Sequence, residues 1–267
     1  MLRSRAAALY RSARFDALHD PALGVLCHSL AACHLHGEET AQPLARAAFA
    51  AQPAATAARE PGLVEALHVN ALALAAGVAA AMPELERAWT MMERHAWQER
   101  RELYGAPVSN ADACAAVLTA FEINGDVRFL RRAETLARSV TARARTPSAA
   151  DCRWALSLLR LARHPVVLAH PASWMAPHAA RLFDAALPAL DDTDFMQLAH
   201  ALAVAGVLAA RTGSPRRLQC HEHIWARCWR ACLALDHSPA AAAAVLQAVD
   251  LLSGDGRQAS PPPRIPA

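Results

Sequence analysis

The chain has 267 residues, 54% of them hydrophobic, and 27 basic against 24 acidic side chains give a net charge of +3. That length suffices for one large domain or two small ones with a real core, and the charge excess is too small to imply nucleic-acid binding by itself. Alanine and leucine dominate while Ile, Tyr and Phe are few, which predicts an all-α fold. No uninterrupted apolar run reaches the roughly 18 residues of a membrane span, the nearest being residues 71–82, so no membrane insertion is expected.

The basic residues are all arginine. The first stretch, MLRSRAAALYRSARF, holds Arg3, Arg5, Arg11 and Arg14 and no acid before Asp16. At 100° per residue Arg3, Arg11 and Arg14 fall on one side, with Leu2, Ala6 and Leu9 broadly opposite. Residues 1–19 therefore fit a mitochondrial presequence, and equally an Arg-faced first helix. The presequence implies a matrix location, the first helix a cytoplasmic one.

Residues 20–253 form a repeat domain. LAACHLHGEETAQPLARAAF, LTAFEINGDVRFLRRAETLA and GVLAARTGSPRRLQCHEHIW share one shape. Each runs from an apolar helix, through a polar residue and glycine (Gly37, Gly125, Gly213), into an amphipathic helix. Glycine just past a helix end is the expected left-handed cap. Successive glycines of this set lie 88 residues apart, and Leu30, Leu74 and Leu118 lie 44 apart. The chain thus reads as about six helical hairpins with a period of about 44 residues, the intermediate turns falling at Met82-Pro83 and His164-Pro165. Helix starts are marked at Asp20-Pro21, Ser109, Thr146-Pro147, Asp191 to Asp194 and Ser238-Pro239. Such hairpins bury their apolar faces only by stacking, either as an open α-solenoid or as a closed (α/α)6 toroid. Residues 52–61 and 102–110 read as linkers, and the Pro-rich residues 254–267 as a disordered tail.

Two segments are rich in groups that can carry chemistry. RFLRRAETLARSVTARAR places Arg128, Arg131, Arg132, Arg138 and Arg145 on one second helix, with Arg131, Arg138 and Arg145 seven apart in a stripe. Arg216 and Arg217 occupy the matching start two repeats later. Stacked helices of this kind offer a basic groove for an RNA backbone or an acidic protein partner. CHEHIWARCWRAC, residues 220–232, pairs Cys220 with His223 and Cys228 with Cys232 on single faces. Cys220 and Cys228 are separated by about 12 Å of helical rise, too far for one zinc ion to take both pairs. Cysteines filling a core stripe with Ile224, Trp225 and Leu235 are the simpler account. With no GxGxxG, Walker A, GxSxG, CxxC or HExxH, neither a cofactor, a metal nor a catalytic group is expected. The 13 histidines, His28, His34, His36, His68, His164, His170, His178 and His200 among them, are spread over many helices and read mostly as turn or groove residues.

SAADCRWALSLLRLARH, followed by LFDAALPALDDTDFMQLAHALAVAG, begins its helices on Asp151 and Asp194, as Asp112 does one repeat earlier. This resembles the degenerate helical repeats of organellar RNA-metabolism proteins, the heptatricopeptide and FAST-kinase-type arrays, and more loosely tetratricopeptide arrays. The resemblance implies a non-catalytic scaffold in a mitochondrial ribonucleoprotein assembly, with protein partners and RNA. A tetratricopeptide-like regulatory domain that binds protein is an alternative. EINGDVRFLRRAETL is also similar to the TGDxRWLxxAExL turn of the N-acylglucosamine 2-epimerase family, an (α/α)6 toroid. RRLQCHEHIWA is similar to that family's Arg-rich approach to a His-x-His pair. That second resemblance implies a sugar isomerase with His221 and His223 as acid–base groups.

Overall fold

The computed structural model describes residues 60–75, 77–106, 108–142 and 146–236, together with 241, 244, 245, 248, 251 and 252. The presequence-like start, Gly37, Asp20-Pro21, Arg145, Ser238-Pro239 and the Pro-rich tail lie outside the described residues. Eight α-helices are described: α1 (Glu60–Ala75), α2 (Ala81–His95), α3 (Asn110–Asn124), α4 (Val127–Thr141), α5 (Asp151–Leu161), α6 (Met175–Ala186), α7 (Phe195–Thr212) and α8 (Pro215–Ala234). The all-α expectation holds, with one small addition. A two-stranded antiparallel ladder, β1 (Trp97–Gln98) against β2 (Leu103–Tyr104), joins α2 to α3.

Consecutive helices pair as hairpins: α1 with α2, α3 with α4, α5 with α6, and α7 with α8. The odd-numbered helices also pack side by side, α1 on α3, α3 on α5 and α5 on α7. They form an inner layer, and the even-numbered helices back it from outside. The two layers differ in sequence for this reason. α4 reads VRFLRRAETLARSVT, with an apolar stripe of Phe129, Leu130, Ala133, Leu136, Ala137 and Val140 turned inward and arginines turned out. α7 reads FMQLAHALAVAGVLAART and is buried over most of its circumference, with α5 on one flank and α8 behind it. Among the described residues α7 is long and apolar enough to cross a membrane, yet 61% of it is buried inside the fold.

Caps set the hairpin boundaries. Ser109 accepts the Asp112 N–H, Asp126 accepts the Arg128 N–H at 2.9 Å, and Asp194 accepts the Gln197 N–H at 3.0 Å. Gly125 and Gly213 end α3 and α7 in the left-handed region, with φ of 75° and 59°. Two expected boundaries move. Pro83 is not a turn but sits in the first turn of α2, where its missing N–H goes unneeded; the chain reverses earlier, at Gly77. α5 begins at Asp151 rather than at Pro147, because the Asp151 carboxylate reaches back to the Ser148 N–H at 2.9 Å.

Three glycine and cap positions give substitutions of opposite sign. Asp194→Ala and Gly213→Ala each lower stability in urea unfolding by about 1 kcal/mol, one by losing the cap and the other by forcing a Cβ into a left-handed backbone. Gly206, mid-helix in α7, would bring a Cβ no nearer than 3.6 Å to His221 Nε2. Gly206→Ala therefore raises stability by up to ~1 kcal/mol.

Candidate active site on the inner helices

The inner helices should be apolar, yet each carries polar or titratable groups, and several of these meet between neighbouring inner helices. On α3 these are Asp112, Thr119 and Glu122, and on α5 they are Arg153 and Arg160. His68 stands on α1 and His200 on α7. The pairs cross from helix to helix. Arg153 of α5 donates to Asp112 of α3. Arg160 grips Glu122 with two prongs, Nε to Oε1 at 3.2 Å and Nη2 to Oε2 at 2.6 Å, and Nη2 also donates to Thr119 at 3.1 Å. The first of these pairs joins helix starts and the second joins helix ends, so α3 and α5 run parallel in the inner layer. His164, just past α5, stands 3.7 Å from Glu122 Oε1 with its ring edge-on to Phe121.

His68 and His200 flank this charged row. Burial is the largest influence on both rings and lowers each pKa to about 4. Arg160 adds to the depression at His68 and Arg153 at His200, while Asp112 opposes it at both. Asp112 therefore stands within electrostatic reach of the two rings. At neutral pH both are uncharged. His200 Nδ1 lies 2.7 Å from the Met196 carbonyl, which can only accept. Nδ1 must then carry the proton, leaving the lone pair on Nε2. Burial also raises Glu122, but the Arg160 charge, the neighbouring His164 ring and the Arg160 hydrogen bonds outweigh this and hold the carboxyl at about 2. The face thus combines two neutral imidazoles, one with its tautomer fixed, and two guanidiniums braced by carboxylates. Such a set can take a proton from carbon, pass protons between oxygens, and stabilise the oxyanion formed between.

The described arginines singled out in the sequence, Arg128, Arg131, Arg132, Arg138, Arg216 and Arg217, lie on outer helices. Arg128 bridges Asp126 and Glu86, and Arg132 pairs with Glu93 while its guanidinium stacks 3.4 Å from the Trp97 ring centre. Arg217 holds Asp184. These three tie α4 to α2 and α8 to α6. Arg131 contacts the buried Glu134, and Arg138 donates to the His170 ring at 2.9 Å. Glu134 in turn accepts the Ala169 and His170 N–H groups at 3.0 and 2.9 Å, anchoring the loop after α5. Arg216 is exposed.

His221 and His223, the pair implied by the epimerase-type resemblance, lie on different sides of α8. Two residues apart on α8, they point about 200° apart around the helix. His221 packs toward Gly206 and a cavity, and His223 is exposed on the outside. Cys228 and Cys232 are buried in the core, and among the described residues no group of three or more His, Cys, Asp or Glu is placed to hold a metal.

No protein-family model matches the chain, and no curated protein matches it. Among solved structures it is similar to a D-mannose isomerase, with a TM-score of 0.65 and 18% identity over 80% of this chain and 74% of that one. The likeness assigns the fold to the helical toroid-type architecture of that isomerase. It also corrects the expectation of a non-catalytic scaffold, because the structural counterpart is an enzyme.

Acid lability follows from the two depressed histidines. Unfolded histidine binds a proton below pH ~6.5, while folded His68 and His200 resist until about pH 4. Their contribution is neutral above the unfolded value and turns destabilising as pH falls from there toward 4. Urea unfolding at stepped pH should show stability dropping across that window. A His68→Asn, His200→Asn double variant should show a distinctly shallower drop.

Proposed function

We propose that the protein is a sugar isomerase that interconverts an aldose and its ketose on the inner face of the helical ring. The observation that carries this is His200, a neutral imidazole whose Nε2 is left as the proton acceptor beside the Arg153–Asp112 pair. Isomerisation needs a base for a carbon-bound proton, a relay between two oxygens and a cation for the intermediate, and each has a candidate here. The similarity in fold to a D-mannose isomerase supports the same reading.

In the proposed reaction, His200 Nε2 takes the C2 proton of the open-chain aldose. The C2–H electron pair becomes the C1–C2 double bond, and the carbonyl pair moves onto O1. Arg153 and Arg160 stabilise the resulting enediolate. His68 moves the O2 proton to O1. The double-bond electrons then take the proton from His200 at C1, the C2 carbonyl closes, and the ketose leaves. No atom or electron is gained or lost overall.

Incubation with D-mannose, D-glucose and D-fructose in D2O, followed by proton NMR, tests this. The expected result is ketose formation from an aldose with deuterium entering at the exchanging carbon. His200→Ala should lower the rate by about 10²–10⁴-fold while leaving the helical spectrum intact. The acid limb of kcat/KM should fall near pH 4 rather than 6.5. Absence of exchange with every aldose and ketose tried, by folded protein, would reject the reading.

A further inference from the structure

The proposed proton transfers make no use of α8, whose sequence PRRLQCHEHIWARCWRACLA divides into two faces. Ile224, Cys228, Ala231 and Cys232 are buried on the side that packs on α7. The opposite face carries Gln219, Glu222, His223, Ala226, Arg230 and Leu233, all exposed. Leu233 stands 53% exposed, with the half-buried Trp229 beside it. The face also holds unpaired charge of both signs. Among the described residues Glu222 has no basic partner, and Arg230 donates to the Ala226 carbonyl of its own helix at 3.4 Å but meets no carboxylate. By contrast Arg217 and Arg227 of the same helix are taken by Asp184 and Asp192.

The spacing of these groups is symmetric about Ala226. Glu222 and Arg230 lie one turn before and after it, about 6 Å of rise each way and about 40° to either side. Gln219 and Leu233 flank it at one larger interval, and His223 and Trp229 at a smaller one. A second α8 laid antiparallel across the first, with a twofold axis at Ala226, therefore sets each Glu222 against the other copy's Arg230. The two Glu222 side chains then stand about 12 Å apart along the helix, so no like charges meet. The same operation brings Leu233 and Trp229 of each copy over Gln219 and His223 of the other. The surface is hollow there: an open depression of about 550 Å³ is bounded by Arg216, Gln219, Cys220, Glu222 and His223. The small Ala226 side chain at the axis lets the backbones approach to the roughly 8–10 Å of packed helices. We propose that this face of α8 is a self-complementary interface through which two copies of the chain pair with twofold symmetry. Two Glu222–Arg230 ion pairs fix the register, and Leu233 of each copy fills the hollow of the other. The inference stands apart from the isomerase reading.

Analytical ultracentrifugation of the full chain tests the pairing. A single helix pair is a small interface, so dimer is expected toward the upper end of a range from about 1 to about 200 μM. Glu222→Arg alone and Arg230→Glu alone should each weaken association by about tenfold or more, because each sets like charges together twice. An equimolar mixture of the two variants should recover the association as a heterodimer, since opposite charges then meet at both positions. The double variant should recover it as well. Glu222 and Arg230 are exposed, so the variants keep the fold, which a thermal melt checks. A monomer at every concentration, a dimer indifferent to both single substitutions, or single variants that stay apart on mixing would overturn the proposal.

Discussion

The fold depends on ionic cross-links between inner helices, Arg153 to Asp112 and Arg160 to Glu122. An inner helix of a helical ring is covered on both flanks and at its back, so its sequence is free to be apolar nearly all round. Of the two pairs, Arg160 with Glu122 is the more buried, at 19% and 33% exposed, and losing one partner there would cost more than at Arg153 with Asp112, which at 35% and 41% exposed are partly solvated. The two pairs tie α3 to α5 near both ends and fix their relative register. They also place permanent charge beside two histidines that burial keeps neutral. The same constraint therefore builds the wall and conditions the chemistry proposed for it. Truncating one member would strand its partner, and the effect on the inner face would exceed the loss of a single hydrogen bond.

The outer layer works differently. Its helices are amphipathic, and their arginines meet carboxylates on the next outer helix, as with Arg128 and Glu86, Arg132 and Glu93, or Arg217 and Asp184. Arg128 with Glu86 and Arg217 with Asp184 are partly solvated and contribute little alone, whereas the Arg132 and Glu93 side chains are only 19% and 21% exposed. Repeated from hairpin to hairpin, they align the outer ring. Arg132 adds a cation–π contact to Trp97 and so pins the small β-ladder between α2 and α3. Arginines clustered along one helix look like an unbalanced basic surface, whereas Arg128, Arg132 and Arg217 meet acids 33 to 42 residues away.

That contrast explains what the sequence discloses and what it hides. Fold class, the hairpin period and the glycine caps at Gly125 and Gly213 are local properties, visible in composition and in the alternation of apolar with amphipathic helices. The Pro83 turn was misplaced because proline serves a helix's first turn as readily as a loop. The β-ladder was missed because two residues per strand leave no periodic signal. The candidate site was legible only in part. His68 and His200 stand out among 13 histidines once the inner face is known. A usable signal existed in Asp112, Thr119 and Glu122 on α3 and in Arg153 and Arg160 on α5, polar residues recurring at helical spacing on otherwise apolar helices. The His221 and His223 pair drew attention by proximity in sequence, yet an interval of two on a helix sends the rings to different sides.

The central claim is that the inner face holds a neutral, tautomer-fixed His200 at physiological pH. Nitrogen-15 NMR of the histidine rings, assigned with a His200→Gln variant and followed from pH 3 to 8, tests it most directly. The account predicts an Nδ1-protonated ring with free Nε2 at pH 7 and a midpoint near pH 4. A midpoint near 6.5, or a proton resident on Nε2, would contradict it.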